Sequence, residues 1–211
     1  MVEVINEDGD VILKLDTNHK ALSSTVDGGI RNDIMYVIHH KVPKNFNEDP
    51  YREITKVHRK YAINSNNAIT FLTATELPKN HTIHREISND IETLVSITIG
   101  LSNPYRINQG NIEFQESINT STINIAVIIN KPLSIQAMID IITLTAQTKT
   151  ITLIELTGNK IHGTTSDAIA ILTPADGKPI PHAGPATEIG KALVHAIHNA
   201  LVKIYNTYIN T

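Results

Sequence analysis

Two short stretches hold the residue types that amide or ester chemistry needs. Gly163-Thr164-Thr165-Ser166-Asp167-Ala168 sets three hydroxyls and a carboxylate beside a glycine; His182-Ala183-Gly184-Pro185-Ala186-Thr187-Glu188-Ile189-Gly190 sets a hydroxyl and a second carboxylate between glycines. Glycine lets the backbone approach a ligand, and the free N–H groups of a helix start face it. A carboxylate placed there takes a proton from water or returns one to a leaving amine, while backbone amides hold the oxyanion. On this reading Asp167 or Glu188 activates water, and the amides of Gly163, Thr164 and Gly184 serve the oxyanion. Thr165, Ser166 and Thr187 bind substrate. Attack by a hydroxyl of the 164–166 loop is the alternative. Each carboxylate also has an ordinary local use, Asp167 bonding turn amides and Glu188 favouring a helix N-terminus. As a loop residue, Asp167 is expected to matter for turnover and little for stability.

Helical geometry adds a cation. At 100° per residue, Ile135, Met138, Ile139, Ile142, Ala146 and Leu153 share one face of a helix that starts at the N-cap Ser134 and runs to about 156, and Lys149 falls inside that arc. A lysine on a core-facing arc needs a carboxylate or a pocket. Asp167 and Glu188 are its nearest candidates.

Several chemistries lack their residues. With no cysteine there is no disulfide, thiolate zinc site or cysteine nucleophile. G-x-S-x-G, H-E-x-x-H and G-x-G-x-x-G are all absent, and the stretch from Gly184 to Lys191 has one residue too many for a phosphate loop. The ten histidines do not assemble a metal site. His39 and His40 are adjacent on a strand and point to opposite faces, and His81 and His84 fall in a loop. His195 and His198 lie off the apolar stripe of Leu193, Ile197, Leu201, Ile204 and Tyr208. No protein-held metal is expected.

The elements that must position these groups are strands first, helices later. Segments 2–5 and 11–15 flank a Glu7-Asp8-Gly9-Asp10 hairpin signal. Further strands are read at 21–26, 34–39, 68–73, 93–99, 123–129 and 169–172, with a charged surface helix at 51–61 and a long helix from Lys191. The 211 residues suit one domain, α/β or α+β, with a largely mixed sheet covered by helices. A net charge of −3 gives no case for nucleic acid or an anionic membrane. The start of the chain has no leader-like pattern and no run reaches membrane-span length, so a cytoplasmic protein is expected.

The chemistry-bearing blocks also resemble a known family, the adenosylcobinamide amidohydrolases (CbiZ). Besides GTTSDAIAI and HAGPATEIGKAL, Leu22-Ser23-Ser24-Thr25-Val26-Asp27-Gly28-Gly29 is similar to the family's "LSS…GG" segment, and Phe71-Leu72-Thr73-Ala74 to its "TA" element. Ser96-Ile97-Thr98-Ile99-Gly100-Leu101-Ser102-Asn103 is similar to "TVGLSN", and Ser121-Thr122-Ile123-Asn124-Ile125 to "GTIN". The blocks run in the family's order over about residues 20–203, leaving 1–19 as an N-terminal hairpin. Two departures stand out. "TEAK" is Ala146-Gln147-Thr148-Lys149 here, with an amide for the carboxylate, and "GTSTD" is Gly163-Thr164-Thr165-Ser166-Asp167. The resemblance implies hydrolysis of the amide joining the corrin propionyl arm to aminopropanol in adenosylcobinamide, giving adenosylcobyric acid in cobalamin salvage. It implies no cofactor, since the cobalt belongs to the substrate. It places Lys149 at the family's lysine, makes Asn124, Asn32 and Asn103 candidates for binding corrinoid amide arms, and allows a homodimer. Gln147 keeps open a non-catalytic corrinoid-binding or regulatory paralogue.

Overall fold

The computed structural model describes residues 2–114 and 121–210. Eleven strands and three α-helices are placed among them: β1 (Val2–Glu7), β2 (Asp10–Ser23), β3 (Gly29–Lys41), α1 (Pro50–Lys60), β4 (Ala68–Thr73), β5 (His81–Ser88), β6 (Ile91–Thr98), β7 (Pro104–Asn108), β8 (Asn111–Phe114), β9 (Asn124–Ile129), α2 (Ile135–Thr157), β10 (Gly163–Thr164), β11 (Ala168–Pro174) and α3 (Glu188–Ile209). The main sheet runs β4-β3-β2-β11-β9-β6-β5, with β1 on β2, and β10-β7-β8 form a small second sheet. β3 with β4 and β11 with β9 pair in parallel, and the other pairs are antiparallel, so the sheet is mixed as expected.

Period-two alternation divides the core between two faces. Ile125, Val127 and Ile129 of β9 and Ile169 and Ile171 of β11 pack under α2 and α3, whereas Ala126, Ile128, Ala170 and Leu172 face the other way. There they meet Val11, Leu13, Val37 and Phe71 from the far half of the same sheet, which curls to cover that face itself. The curl brings Asn124 of β9 within 3.0 Å of the Leu72 carbonyl of β4. α1 packs Val57 against Ile12, Ile38 and Ala68 on the outside of β2–β4.

Three expectations are corrected. β2 stops at Ser23, because Ser24–Gly28 form a turn in which Gly28 N bonds Thr25 O at 3.0 Å. His81 and His84 lie on β5, not in a loop. Along α2 the buried face passes through Met138, Ile141, Thr145, Lys149 and Thr152, and Ile135 and Ile139 are exposed. The true face is rotated from the one drawn through the isoleucines, because three threonines (Thr145, Thr148 and Thr152) and one lysine take inward positions. His39 and His40 do part to opposite faces: His40 bonds Asp10 (2.8 Å) and Glu53 (3.2 Å), while His39 enters the curled core.

In that core Ser96 Oγ lies 2.9 Å from His39 Nε2 and 2.7 Å from His81 Nε2, and His39 stacks on Phe71. Burial lowers His39 well below its ordinary value and takes His81 down to about 4. Burial also lowers His19 and His58. All four bind a proton less readily in the fold than in the unfolded chain, where histidines titrate near pH 6.5. The folded values are depressed, so stability is complete above that pH and is lost as pH falls toward 4. Urea midpoints measured from pH 7.5 to 4 are expected to fall across this window; a flat profile would remove the argument.

Candidate active site

The turn at Gly163–Asp167 connects β10 to β11 at the end of the sheet where β9 begins, and Asp167 is its anchor. One carboxylate oxygen accepts from Ile123 N (3.0 Å) and the Thr164 hydroxyl; the other accepts from Thr164 N (3.2 Å) and Lys149 Nζ. Lys149 reaches it from α2 and is only 5% exposed. The helix thus delivers the cation expected from its face, and the partner is Asp167. Four donors converge on this one carboxylate and fix its orientation. Gly163 makes the contact possible. A Cβ there would lie 2.7 Å from Asp167 Oδ2, 2.8 Å from Tyr105 Cε1 and 3.0 Å from Lys149 Nζ.

Asp167 also forms part of the wall of a cavity of about 400 Å³. Ser166, Asn124, Ser121, Thr25 and the Thr70–Thr73 stretch of β4 line the same space. The walls are tied to one another. Asp27 accepts from Thr70 N (3.0 Å) and from the Thr25 hydroxyl (2.9 Å), and Ser24 pairs with Ile169 across to β11 (2.9 Å). Asn124 is 1% exposed, with its oxygen 3.2 Å from the Thr122 hydroxyl and one amide hydrogen donated to Leu72 O.

The structure brings Asp167, Lys149, Gly163, Thr164, Ser166 and Asn124 together; Thr165 is exposed in the same turn, its hydroxyl accepting from Asn103 Nδ2 at 2.7 Å. It separates them from Glu188, Thr187 and Gly184. Thr187 is the N-cap of α3, its hydroxyl accepting from Gly190 N (3.0 Å) and donating to Gly184 O (2.8 Å). Glu188 pairs with Lys191 (3.0 Å) and Ser88 (3.3 Å), contacts that lower its carboxyl below the usual range, Lys191 first. Ser88 ends β5 beside the start of β6, whereas Asp167 bonds the start of β9, and the six residues of β9 put roughly 20 Å between the two carboxylates. Asp167 and Glu188 therefore do not flank one loop, because β11 crosses the sheet between them. The Thr164 amide is likewise committed to Asp167 and is not free for an oxyanion. Sequence reasoning passed over Ser121 and the 70–73 stretch as site residues, although Ser121 and residues 71–73 lay inside quoted blocks. Asn32 is exposed, and Gln147 is exposed on α2, two residues and about half a turn from Lys149, so the change from the "TEAK" carboxylate leaves the Lys149–Asp167 contact intact.

A hydroxyl-lined cavity with a tethered carboxylate thus stands at the end of the curled mixed sheet of this α/β domain. The sequence pattern of the adenosylcobinamide amidohydrolase family, CbiZ, matches residues 2–210, and the chain belongs to that family. An adenosylcobinamide amidohydrolase of Halobacterium salinarum is 27% identical over 122 residues, 56% of this chain and 52% of that protein. The matched region thus spans about half of that relative's length. The crystal structure of the PH0078 protein from Pyrococcus horikoshii shares the fold, with a TM-score of 0.56 at 9% identity over 97% of this chain and 79% of that one. No helix among the described residues is long and apolar enough to cross a membrane.

Proposed function

We propose that the chain hydrolyses the amide between the corrin propionyl arm and aminopropanol in adenosylcobinamide, releasing adenosylcobyric acid for cobalamin salvage. The observation that carries this is Asp167, a carboxyl group fixed by four donors in the wall of a polar cavity in a chain of this family. The corrin macrocycle is far too large for about 400 Å³, so the arm enters and the ring lies at the mouth. Asp167 takes a proton from water as the water oxygen bonds the amide carbon. The C–N bond then breaks, and the proton passes to the departing nitrogen. The remaining amide hydrogen of Asn124 serves the developing oxyanion, a role first assigned to the 163–164 amides. Lys149 does not reach the cavity wall; it acts through Asp167, holding the carboxylate's charge and direction. Thr164 fits a hydroxyl-attack route less well, since it is buried and stands behind Asp167.

Incubation with adenosylcobinamide, read by product mass, is expected to show loss of aminopropanol and gain of one water. Tight binding without turnover would instead identify a corrinoid-binding paralogue.

A further inference from the structure

Ser121 sits where two cavities meet. It forms wall, with Ala74, both of the cavity that holds Asp167 and of a second one of about 180 Å³. The hydroxyls around it are engaged: Thr25 donates to Asp27, Thr122 to Ser166 O, and Ser166 to Ser121 O. Thr70 bonds His58. The Ser121 hydroxyl has no hydrogen bond to a described residue, although Ser121 is only 6% exposed. Gly100 makes the room for it, since a Cβ at 100 would lie under 3.0 Å from Ser121 Oγ. The second cavity carries another unspent group. Asn80 is 7% exposed; its Nδ2 donates to Thr75 Oγ1 (2.8 Å), which donates on to Ile99 O (2.8 Å). That relay fixes the amide's orientation and leaves Oδ1 buried in the wall with no partner among the described residues. A buried acceptor of this kind costs stability and calls for an N–H or O–H donor. Lys44, Glu76, Ser102 and Tyr208 complete a polar lining.

We propose that the smaller cavity is a specificity subsite for a short saturated arm bearing N–H or O–H groups, with Ser121 hydrogen-bonding it at the junction. The proposal rests on the amidohydrolase reading and names what lies beside the scissile bond. Two parts of such a substrate have this chemistry, the amino-alcohol leaving group and a neighbouring primary carboxamide arm. The space admits a few heavy atoms and excludes the ring.

The test uses the full chain with 1-aminopropan-2-ol and propionamide as separate probes, following the backbone amide resonances of Gly100, Ser121 and Asn80. At least one probe is expected to shift these resonances saturably. The Ser121→Ala variant should bind it about fivefold more weakly, the size of one neutral hydrogen bond. Asn80→Asp, nearly isosteric, should tighten binding if the occupant is the aminopropanol cation and not if it is the neutral amide. Preference for the amino alcohol assigns the leaving group, and preference for propionamide assigns the neighbouring arm; either supports the subsite. If neither probe moves these resonances, or if Ser121→Ala binds as the parent does, the subsite is overturned. Turnover of adenosylcobinamide without probe binding rejects the subsite and keeps the activity. Probe binding without turnover does the reverse.

Discussion

Lys149→Met will lower the free energy of unfolding by about 3 kcal/mol and reduce turnover of adenosylcobinamide to near background. The substitution keeps the aliphatic stem but strands the Asp167 carboxylate beside a methyl thioether, and breaking a buried pair from one side costs about 3–5 kcal/mol. The lower figure applies because Ile123 N and both Thr164 donors still bond Asp167. Asp167→Asn will cost a similar amount. Its new NH2 group must face either Lys149 and the Thr164 N–H on one side or the Ile123 N–H and the Thr164 hydroxyl on the other, so a donor meets a donor in both placements. The double variant should lose at least about 1 kcal/mol less than the sum, a coupling typical of residues in one network. Domains are commonly stable by about 5–15 kcal/mol, so the singles remain folded for assay. Urea denaturation of all four proteins reads the coupling, and strictly additive losses would show that the contact is incidental. The expectation that a loop carboxylate contributes little to stability is thereby revised: Asp167 ties α2, β10 and the start of β9 to its own turn.

Gly190→Ala, one turn into α3, is expected to destabilise by about 3 kcal/mol, or roughly 10 °C in Tm for a domain this size. Helix propensity alone predicts the opposite sign, by about 1 kcal/mol. Sterics decide the matter, because a Cβ at 190 would lie under 3.0 Å from the Gly184 carbonyl, which is backbone and cannot rotate away. Gly184→Ala in the same segment meets nothing within 4 Å and should leave both stability and turnover unchanged. Thermal melts of the pair check this. A stable Gly190→Ala protein, or an inactive Gly184→Ala protein, would return that segment to the catalytic site.

Much of this architecture was legible because it rests on local signals. Ser134 caps α2 and 68–73 is β4, each as the pattern of apolar residues and capping types indicates. The two-residue β10 carries no pattern at all, and β5, whose alternation is broken by His81, Thr82 and His84, hid among polar residues. Lys149 was found for a sound reason, a charge on a buried arc, even though the arc itself was drawn about a third of a turn off. The misplacement of Glu188 is more instructive. The strand at 169–172 was already read correctly, and a strand carries the residues at its two ends apart. Proximity in sequence was allowed to outweigh the length of the element between. Ser121 escaped notice because a hydroxyl without a partner among the described residues is a property of the surroundings, visible only once Gly100 and Asn80 are beside it.

The bonds that Asp27 and Asn124 make to β4 bear on how copies of the chain meet. β4 ends the sheet, and residues 70 and 72 present their backbone groups outward, away from β3. An incoming strand would need the Thr70 N–H and the Leu72 carbonyl to begin a ladder, and both are already satisfied within the chain. This border of the sheet is closed to strand addition, so a peptide or a second copy that joins by β-augmentation must do so elsewhere. The side chains that tie the cavity wall together thus also occupy two of the backbone groups that a strand would need at this edge.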